Sequence, residues 1–348
     1  MLAVLALLVP TGVSALTYEP AETTGLEPGT IADAANGSTV IGTQGYTFRG
    51  NTNPKKPARL VAVGPRGDLA WTHDDRVGGN AWFFEVEPMP NGNVLVSSPR
   101  NGETRLFEFD PDAGKRVWQE RFDMTDTHAV AYLGDDRIAI ANMREWNEST
   151  GVSNDRVVVY NRSTDEITWE WVFRNHYPAD TDGGYAHDWT HVNDVEPVGD
   201  DRLLLSPRNF DQAIVVDMQS KAIVERLGAD GNHDVLYEQH SPDWLLSENG
   251  TPTIVVADSE NDRVVEYAKD GDEWVRTWQV GAETLNWPRD ADRLPNGNTL
   301  ITDTLNHRVI EVTPTGEVVW EYHATWGPYD AERLAYGGGS VGPTIRDL

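Results

Sequence analysis

A unit that recurs six times constrains the fold of this chain more than any other feature of its sequence. Each unit joins a short strand rich in Val, Ile and Leu to a turn and then to a second strand, which carries a Trp in five of the units. The units begin at Arg59, Arg105, Arg156, Ala213, Arg263 and Arg308. Repeats of this kind predict several copies of one small sheet rather than a single continuous sheet.

Five of the units follow another pair of strands, which brings each unit to four strands. The turns of these pairs contain Asn-Gly or Asp-Asp, residues that tolerate the positive φ angles of tight hairpins. The pairs read VEPMPNGNVLVS, VAYLGDDRIAI, VEPVGDDRLLLS, DWLLSENGTPTIVVA and ADRLPNGNTLIT. Four strands in about 45 to 55 residues is the period of a propeller blade. We therefore predict an all-β fold, a six-bladed β-propeller with four-stranded blades, over residues 38–323.

The first unit lacks a complete first half, which a ring closed by strands from both chain ends explains. We predict a linker at residues 17–37 and a C-terminal tail at residues 324–348. Residues 1–16 form an apolar run ending in small residues, typical of a signal peptide, with a membrane anchor or a buried strand as alternatives. The recurring Trp residues are expected to pack between blades: Trp71, Trp118, Trp169, Trp278 and Trp320.

The charge of the chain excludes one class of partner. Lys and Arg number 28 against 56 Asp and Glu, so a net charge of −28 disfavours nucleic acid and is typical of a surface adapted to high salt. With no cysteine, neither disulfides nor thiolate metal sites form. Four Asn-x-Ser/Thr sites indicate an exported glycoprotein, extracellular or at the cell surface: Asn36, Asn147, Asn161 and Asn249.

Polar and aromatic residues recur where the first strand of each blade begins. In a propeller these strands line the central channel, so residues far apart in sequence meet at one face. The positions are Trp82, Asp126 with His128, His191 with Asn193, His240, and Trp287 with Arg289. Three of the nine histidines thus occupy matching positions in three consecutive blades, which indicates a functional site.

Arginines occur at one equivalent step after the second strand of three blades, as Arg100, Arg144 and Arg208. Guanidinium groups beside imidazoles predict a pocket for a sulfate, phosphate or carboxylate group. The alternative is that Arg100 and Arg144 each pair with a nearby Asp or Glu. His187, close to His191, leaves a zinc or copper site open, although the arginines would repel a cation and we expect neither metal nor cofactor.

The segments THAVAYLGDDRIAI, HDWTHVNDVEPVGDDRLLLSPRN and QHSPDWLLSENGTPTIVVADSENDRVVEY resemble the arylsulfate sulfotransferase family, and the resemblance spans about residues 80 to 323. It implies a six-bladed propeller that moves a sulfuryl group from a phenolic sulfate ester to another phenol through a sulfohistidine. By motif, His240 resembles the nucleophile, His128 and His191 the flanking imidazoles, and Arg208 the arginine that holds the sulfate.

This chemistry suits the residue types. A neutral imidazole attacks sulfur, a second imidazole exchanges the proton of the phenol, and a guanidinium holds the sulfate oxygens. Trp82 and Trp287 are expected to stack on the aryl ring, with Arg100, Arg144, Asn193 and Arg289 binding substrate. Two alternatives stay open: a non-catalytic surface propeller that binds a glycan or a protein, and a quinone- or metal-dependent propeller oxidoreductase.

Overall fold

The structure is a computed structural model that describes residues 24–45, 57–75, 82–100, 102–183 and 185–348. Within these ranges, 26 strands form six four-stranded sheets and one two-stranded hairpin. The six sheets lie in a ring, so the predicted six-bladed β-propeller is confirmed. In the connections between the described strands and after them, short 3₁₀ segments occur at Phe173–Asn175, Thr181–Gly183, Arg208–Phe210, Ser259–Asn261 and Ile345–Asp347.

The first three blades contain the first thirteen strands and the last one. Blade one has β1 (Thr39–Thr43), β2 (Arg59–Val63), β3 (Leu69–Asp74) and β26 (Pro328–Arg333). Blade two has β4 (Val86–Pro88), β5 (Val94–Ser97), β6 (Thr104–Asp110) and β7 (Lys115–Phe122). Blade three has β8 (Val130–Tyr132), β9 (Arg137–Asn142), β12 (Arg156–Asn161) and β13 (Glu166–Val172), with an inserted hairpin of β10 (Trp146–Asn147) and β11 (Val152–Ser153).

The remaining blades are each continuous in sequence. Blade four has β14 (Val192–Val198), β15 (Arg202–Pro207), β16 (Gln212–Asp217) and β17 (Ile223–Gly228). Blade five has β18 (His240–Leu246), β19 (Pro252–Asp258), β20 (Arg263–Asp270) and β21 (Glu273–Val280). Blade six has β22 (Pro288–Arg293), β23 (Thr299–Asp303), β24 (Arg308–Val312) and β25 (Val318–His323).

Burial separates the inner from the outer strand of each blade. Strands β22 and β26 are buried at every residue, whereas β7 alternates between exposed and partly buried residues. The inner strands β26, β4, β8, β14, β18 and β22 contact one another in that order around the channel. The hairpin turns follow the predicted chemistry, since Asp135 and Asp136 have φ angles of 51° and 59°.

The last strand closes the ring in blade one. Strand β26 pairs antiparallel with β1 along its length, from Thr39 opposite Arg333 to Thr43 opposite Pro328. Closure by both chain ends follows the prediction, but the boundary at residue 323 left β26 in the tail, and the ring instead extends to Arg333. The residues assigned to a linker also pack on the ring, because Ile31 is only 2% exposed in the apolar cluster between blades six and one.

Each interface between neighbouring blades holds one apolar cluster, so six clusters together form the core of the described ring. The recurring Trp residues lie in or against these clusters, as predicted. Trp169 and Trp278 also donate hydrogen bonds to the backbone carbonyls of Met218 and Pro314 in the next blade, both at 2.8 Å. These side chains therefore fasten one blade to the next.

An ion pair capped by a Trp ring recurs at two of these interfaces. Arg293 on β22 pairs with Glu266 of blade five at 3.0 Å, and its guanidinium lies 4.7 Å from the ring of Trp278. Arg333 on β26 pairs in the same way with Glu311 of blade six at 2.8 Å and lies over Trp320. In both interfaces a glutamate on the third strand of one blade thus holds an arginine on the inner strand of the next blade.

Two further predictions concern the N-terminal apolar run and the Asn-x-Ser/Thr sites. Residues 1–16 lie outside the described ranges, and in the described ranges no helix is long and apolar enough to span a membrane. Asn36, Asn147 and Asn249 are exposed and Asn161 is partly buried. Glycosylation and export stay predictions.

Candidate functional site

The three predicted histidines lie together at one mouth of the channel. The rings of His128 and His191 are 5.1 Å apart, between centroids, at an interplanar angle of 75°. The ring of Tyr329 on β26 lies 5.6 Å from His128 and 6.1 Å from His240, and the Tyr329 hydroxyl is 3.1 Å from His128 Nδ1. All four side chains are buried, which makes the site a small enclosed cluster of imidazoles and one phenol.

The hydrogen bonds of His240 determine which of its nitrogens has a lone pair available. Its Nδ1 lies 2.8 Å from Ser259 Oγ, and that hydroxyl donates to the Pro288 carbonyl at 2.6 Å. Since a hydroxyl has one proton, Ser259 accepts from His240 Nδ1–H. The lone pair of His240 is therefore on Nε2, which is buried and has no hydrogen-bond partner among the described residues.

A carboxylate orients His191 in a similar way. Both oxygens of Asp188 lie 3.0 Å from His191 Nδ1. Although burial raises it, the contacts with His191 and with the guanidinium of Arg144 hold the pKa of Asp188 below its usual range, so this group is ionised and accepts the Nδ1 proton. The Nε2 atom of His191 is consequently the proton acceptor of this ring.

Arg144, which we expected to bind substrate, pairs with carboxylates of the protein in this structure. Its guanidinium pairs with Asp188 at 2.8 Å and also with Asp126. This is the alternative in which the arginine pairs with nearby carboxylates, and it places Asp126 and Arg144 behind His191. Arg100 lies after β5 and is partly exposed, and its backbone exchanges hydrogen bonds with that of Glu103. Its contact with substrate stays a prediction.

Two other guanidinium groups lie at the histidine cluster. Arg208 contacts Asn209 Oδ1 at 2.9 Å and Glu238 at 3.4 Å. Arg289 is only 7% exposed and lies between aromatic rings, 3.8 Å from Trp287 and 4.6 Å from Tyr329. Within the described part of the chain, its Nε and Nη1 atoms have no hydrogen-bond partner. A buried cation with unused N–H groups is a site for an anion.

Burial and these arginines keep the histidines neutral. Burial, together with Arg289 and Arg208, lowers the pKa of His240 well below 6.5. Burial and the neighbouring His191 do the same to the pKa of His128, and burial with Arg208 lowers the pKa of His191 to about 3. Arg208 therefore acts electrostatically on both His191 and His240.

Aromatic side chains form one wall of the site. The ring of Phe84 stacks on His128 at 4.0 Å between centroids, and Trp82 stacks on Phe84 at 5.2 Å. The ring of Phe84 therefore lies between Trp82 and His128. Trp287 is 8% exposed and lies 6.2 Å from the ring of His240.

The backbone is strained at several of these positions. His191, Ser241 and Trp287 have φ angles of 41°, 39° and 55°, in the left-handed region that non-glycine residues rarely adopt. Such residues cluster at functional sites, where the surrounding fold holds them in place.

Asn193 makes a hydrogen bond within the protein. Its side-chain amide donates to the Gln239 carbonyl at 2.9 Å and so links β14 to the residue before His240.

The match to a known family agrees with this arrangement. The family described as Arylsulfotransferase (ASST) matches residues 42–274, which is more than half of the chain. The chain belongs to the arylsulfotransferase family. No curated protein matches it.

Solved structures share the fold of this chain. A protein of unknown function from Bacteroides caccae has a TM-score of 0.58 at 12% identity, with 85% of this chain and 98% of that one covered. The periplasmic gluconolactonase of Pseudomonas aeruginosa has a TM-score of 0.54 at 11% identity, with the same coverage. A putative 6-phosphogluconolactonase from Bacteroides fragilis has a TM-score of 0.51 at 12% identity, covering 88% of this chain and 99% of that one. At these identities the likeness concerns the propeller fold alone.

Sequence reasoning missed four residues of the candidate site: Phe84, Asp188, Ser259 and Tyr329. Tyr329 occupies the start of an inner strand, the register that identified the histidines, but the tail boundary excluded it. Asp188 and Ser259 act through neighbouring rings and have no signal of their own in the repeat. His187 is exposed, unlike the buried His191, so the HDWTHVND segment does not place both of its imidazoles in the enclosed site.

Proposed function

We propose that this arylsulfotransferase moves a sulfuryl group from an aryl sulfate to a phenol through a sulfohistidine on His240. The observation that carries the proposal is the buried Nε2 lone pair of His240 beside two guanidinium groups. We also place the reaction outside the cytoplasm, because of the apolar run at residues 2–16.

The first half-reaction forms the covalent intermediate. Arg289 and Arg208 hold the sulfate oxygens while His240 Nε2 attacks sulfur. The new N–S bond forms as the ester S–O bond breaks, and the electron pair of that bond leaves on the phenolic oxygen. The negative charge of the bound ester opposes the effect of the arginines, so His128 or His191 holds a proton in the complex and gives it to the phenolate.

The second half-reaction reverses these roles. The acceptor phenol gives its proton to the same imidazole as its oxygen attacks sulfur, and the N–S electron pair returns to His240 Nε2. His191 suits this step because Asp188 holds its Nδ1 proton and leaves Nε2 as the acceptor. The aromatic wall of Phe84, Trp82 and Trp287 supplies a surface for the aryl ring.

The transfer reaction itself tests the proposal. We expect the purified chain, incubated with para-nitrophenyl sulfate, to release para-nitrophenolate rapidly only when phenol is added, with one phenyl sulfate formed for each nitrophenolate. Varying both substrates should give the parallel double-reciprocal lines of a two-step exchange. Release that does not depend on phenol, or that requires an added metal or quinone, would exclude this transfer.

The hydroxyl of Ser259 provides a test of the tautomer argument. In Ser259→Ala the Nδ1–H of His240 loses its acceptor, the other tautomer becomes populated, and kcat/KM should fall by about 10²-fold. Ser97→Ala is the matched control, because the buried Ser97 hydroxyl donates at 2.9 Å to the backbone carbonyl of His128 and not to its ring. We expect the two variants to lose similar stability and only Ser259→Ala to lose activity. Equal activity in both variants would contradict the tautomer argument.

A further inference from the structure

The channel beneath the histidines is lined with carboxylates. They occur at alternate residues of the inner strands, so each pair from one strand faces the channel together. Nine such side chains lie in the described part of the chain: Glu85, Glu87, Asp194, Glu196, Asp243, Asp290, Asp292, Asp330 and Glu332. Sequence analysis assigned the acidic residues to a solvated surface, and these are the exceptions.

Three of these carboxylates have the spacing of an ion's ligands. Oxygen atoms of Glu85, Glu87 and Glu332 all lie within 4.8 Å of one another. Ligands that contact one Ca²⁺ at about 2.4 Å are at most about 4.8 Å apart. Glu85 and Glu332 are only 7% and 5% exposed, so water does not readily solvate them.

Two further buried carboxylates of the channel each have one oxygen without a partner. Asp194 and Asp292 are each 2% exposed, and among the described residues the Oδ2 atom of each has no hydrogen-bond partner. Besides burial, Asp292 is the first carboxylate to raise the pKa of Glu332, whereas Asp243 is the first to raise the pKa of Asp194 and Glu87 contributes less. An unpartnered, buried carboxylate oxygen requires either a proton or a cation.

The chain after β26 closes this end of the channel with backbone. A Cβ atom on Gly338 would lie 2.1 Å from Glu87 Oε2, so the Gly338 backbone lies directly against this carboxylate. Gly339 N–H donates to Glu332 at 3.0 Å, and Ser340 donates to Asp243 at 2.5 Å. These contacts hold the carboxylates against the backbone of this segment.

We propose that Glu85, Glu87 and Glu332, with Asp194 and Asp292 of the same channel, bind a calcium ion. The set offers only hard oxygen ligands, and without imidazole or thiolate it does not suit zinc or copper. Flexible carboxylates from different strands favour Ca²⁺ over Mg²⁺, which requires near-ideal octahedral geometry. Because Glu332 lies on the closing strand and Glu87 on β4, the ion joins blade one to blade two.

Thermal unfolding of the full chain tests the site. After treatment with EDTA and removal of the chelator, the protein is unfolded in buffer with CaCl₂, MgCl₂ or NaCl at matched ionic strength. We expect CaCl₂ at saturating concentration to raise Tm by about 5 °C or more over NaCl, with a smaller effect of MgCl₂, and calorimetric titration to show one calcium per chain. No shift and no binding heat with CaCl₂ would overturn the proposal.

A double variant separates binding from folding. Glu87→Gln with Glu332→Gln removes two ligand charges but keeps their shape, and it also relieves repulsion, so in EDTA its Tm should be no lower than that of the wild type. Its response to CaCl₂ should be lost, whereas the exposed Glu148→Gln control should respond fully. An unchanged response in the double variant would overturn the proposal.

Discussion

His240→Ala should abolish sulfuryl transfer, with a fall in kcat/KM of about 10⁴-fold or more. The substitution removes the atom that would form the N–S bond, and in the proposed mechanism His128 and His191 exchange the proton of the phenol rather than attack sulfur. Initial rates with para-nitrophenyl sulfate and phenol measure the effect. Wild-type protein incubated with the donor alone should carry one sulfuryl group on the peptide containing His240, and the variant should carry none.

His187→Ala is the matched control for this experiment. His187 is exposed and lies outside the enclosed site, so its removal should leave kcat/KM within about twofold of the wild type. A His240→Ala protein that keeps a tenth of the wild-type activity would remove this residue from the mechanism.

Arg293→Met should lower the free energy of unfolding by about 3–5 kcal/mol. Arg293 and Glu266 are both fully buried, at 0% side-chain exposure, and the substitution leaves Glu266 without its counter-charge. Met fills much of the volume of the arginine stem against Trp278, so the loss reports the broken ion pair rather than a large cavity. Urea unfolding followed by Trp fluorescence measures it.

A surface ion pair is the control for the buried one. Arg156 pairs with Glu170 at 2.9 Å, but their side chains are 26% and 43% exposed. Arg156→Met should therefore cost less than about 1 kcal/mol. Equal losses in the two variants would show that the pairs between blades contribute no more than exposed ones.

Local signals explain why the fold was predictable. Each blade is continuous in sequence apart from the first, and its turns have their own chemistry, such as Asp135 and Asp136 with positive φ. Strand β26 was missed because its partner β1 lies at the other end of the chain, so no hairpin turn marks it. The same error hid Tyr329.

A site residue was predictable only where its distance along the chain from its own hairpin turn determines where it lies in the blade. His128, His191 and His240 share a step relative to their own hairpins, whereas Ser259 reaches His240 from the following strand pair and belongs to no motif. The acidic lining was visible as alternation in Arg-Asp-Ala-Asp-Arg and Tyr-Asp-Ala-Glu-Arg. The overall negative charge predicted that the carboxylates are exposed. The alternation of acidic residues along the inner strands was the signal that some of them face the channel.

The position of Tyr329 has a consequence for biosynthesis. Strand β26 follows every other described strand in sequence, so it leaves the ribosome after them and brings this phenol against histidines that were made earlier. A nascent chain therefore holds the three histidines, Arg208 and Arg289, and five whole blades before β26 completes the first blade. A ligand that binds against Tyr329 would thus bind only to a molecule in which β26 has paired with β1.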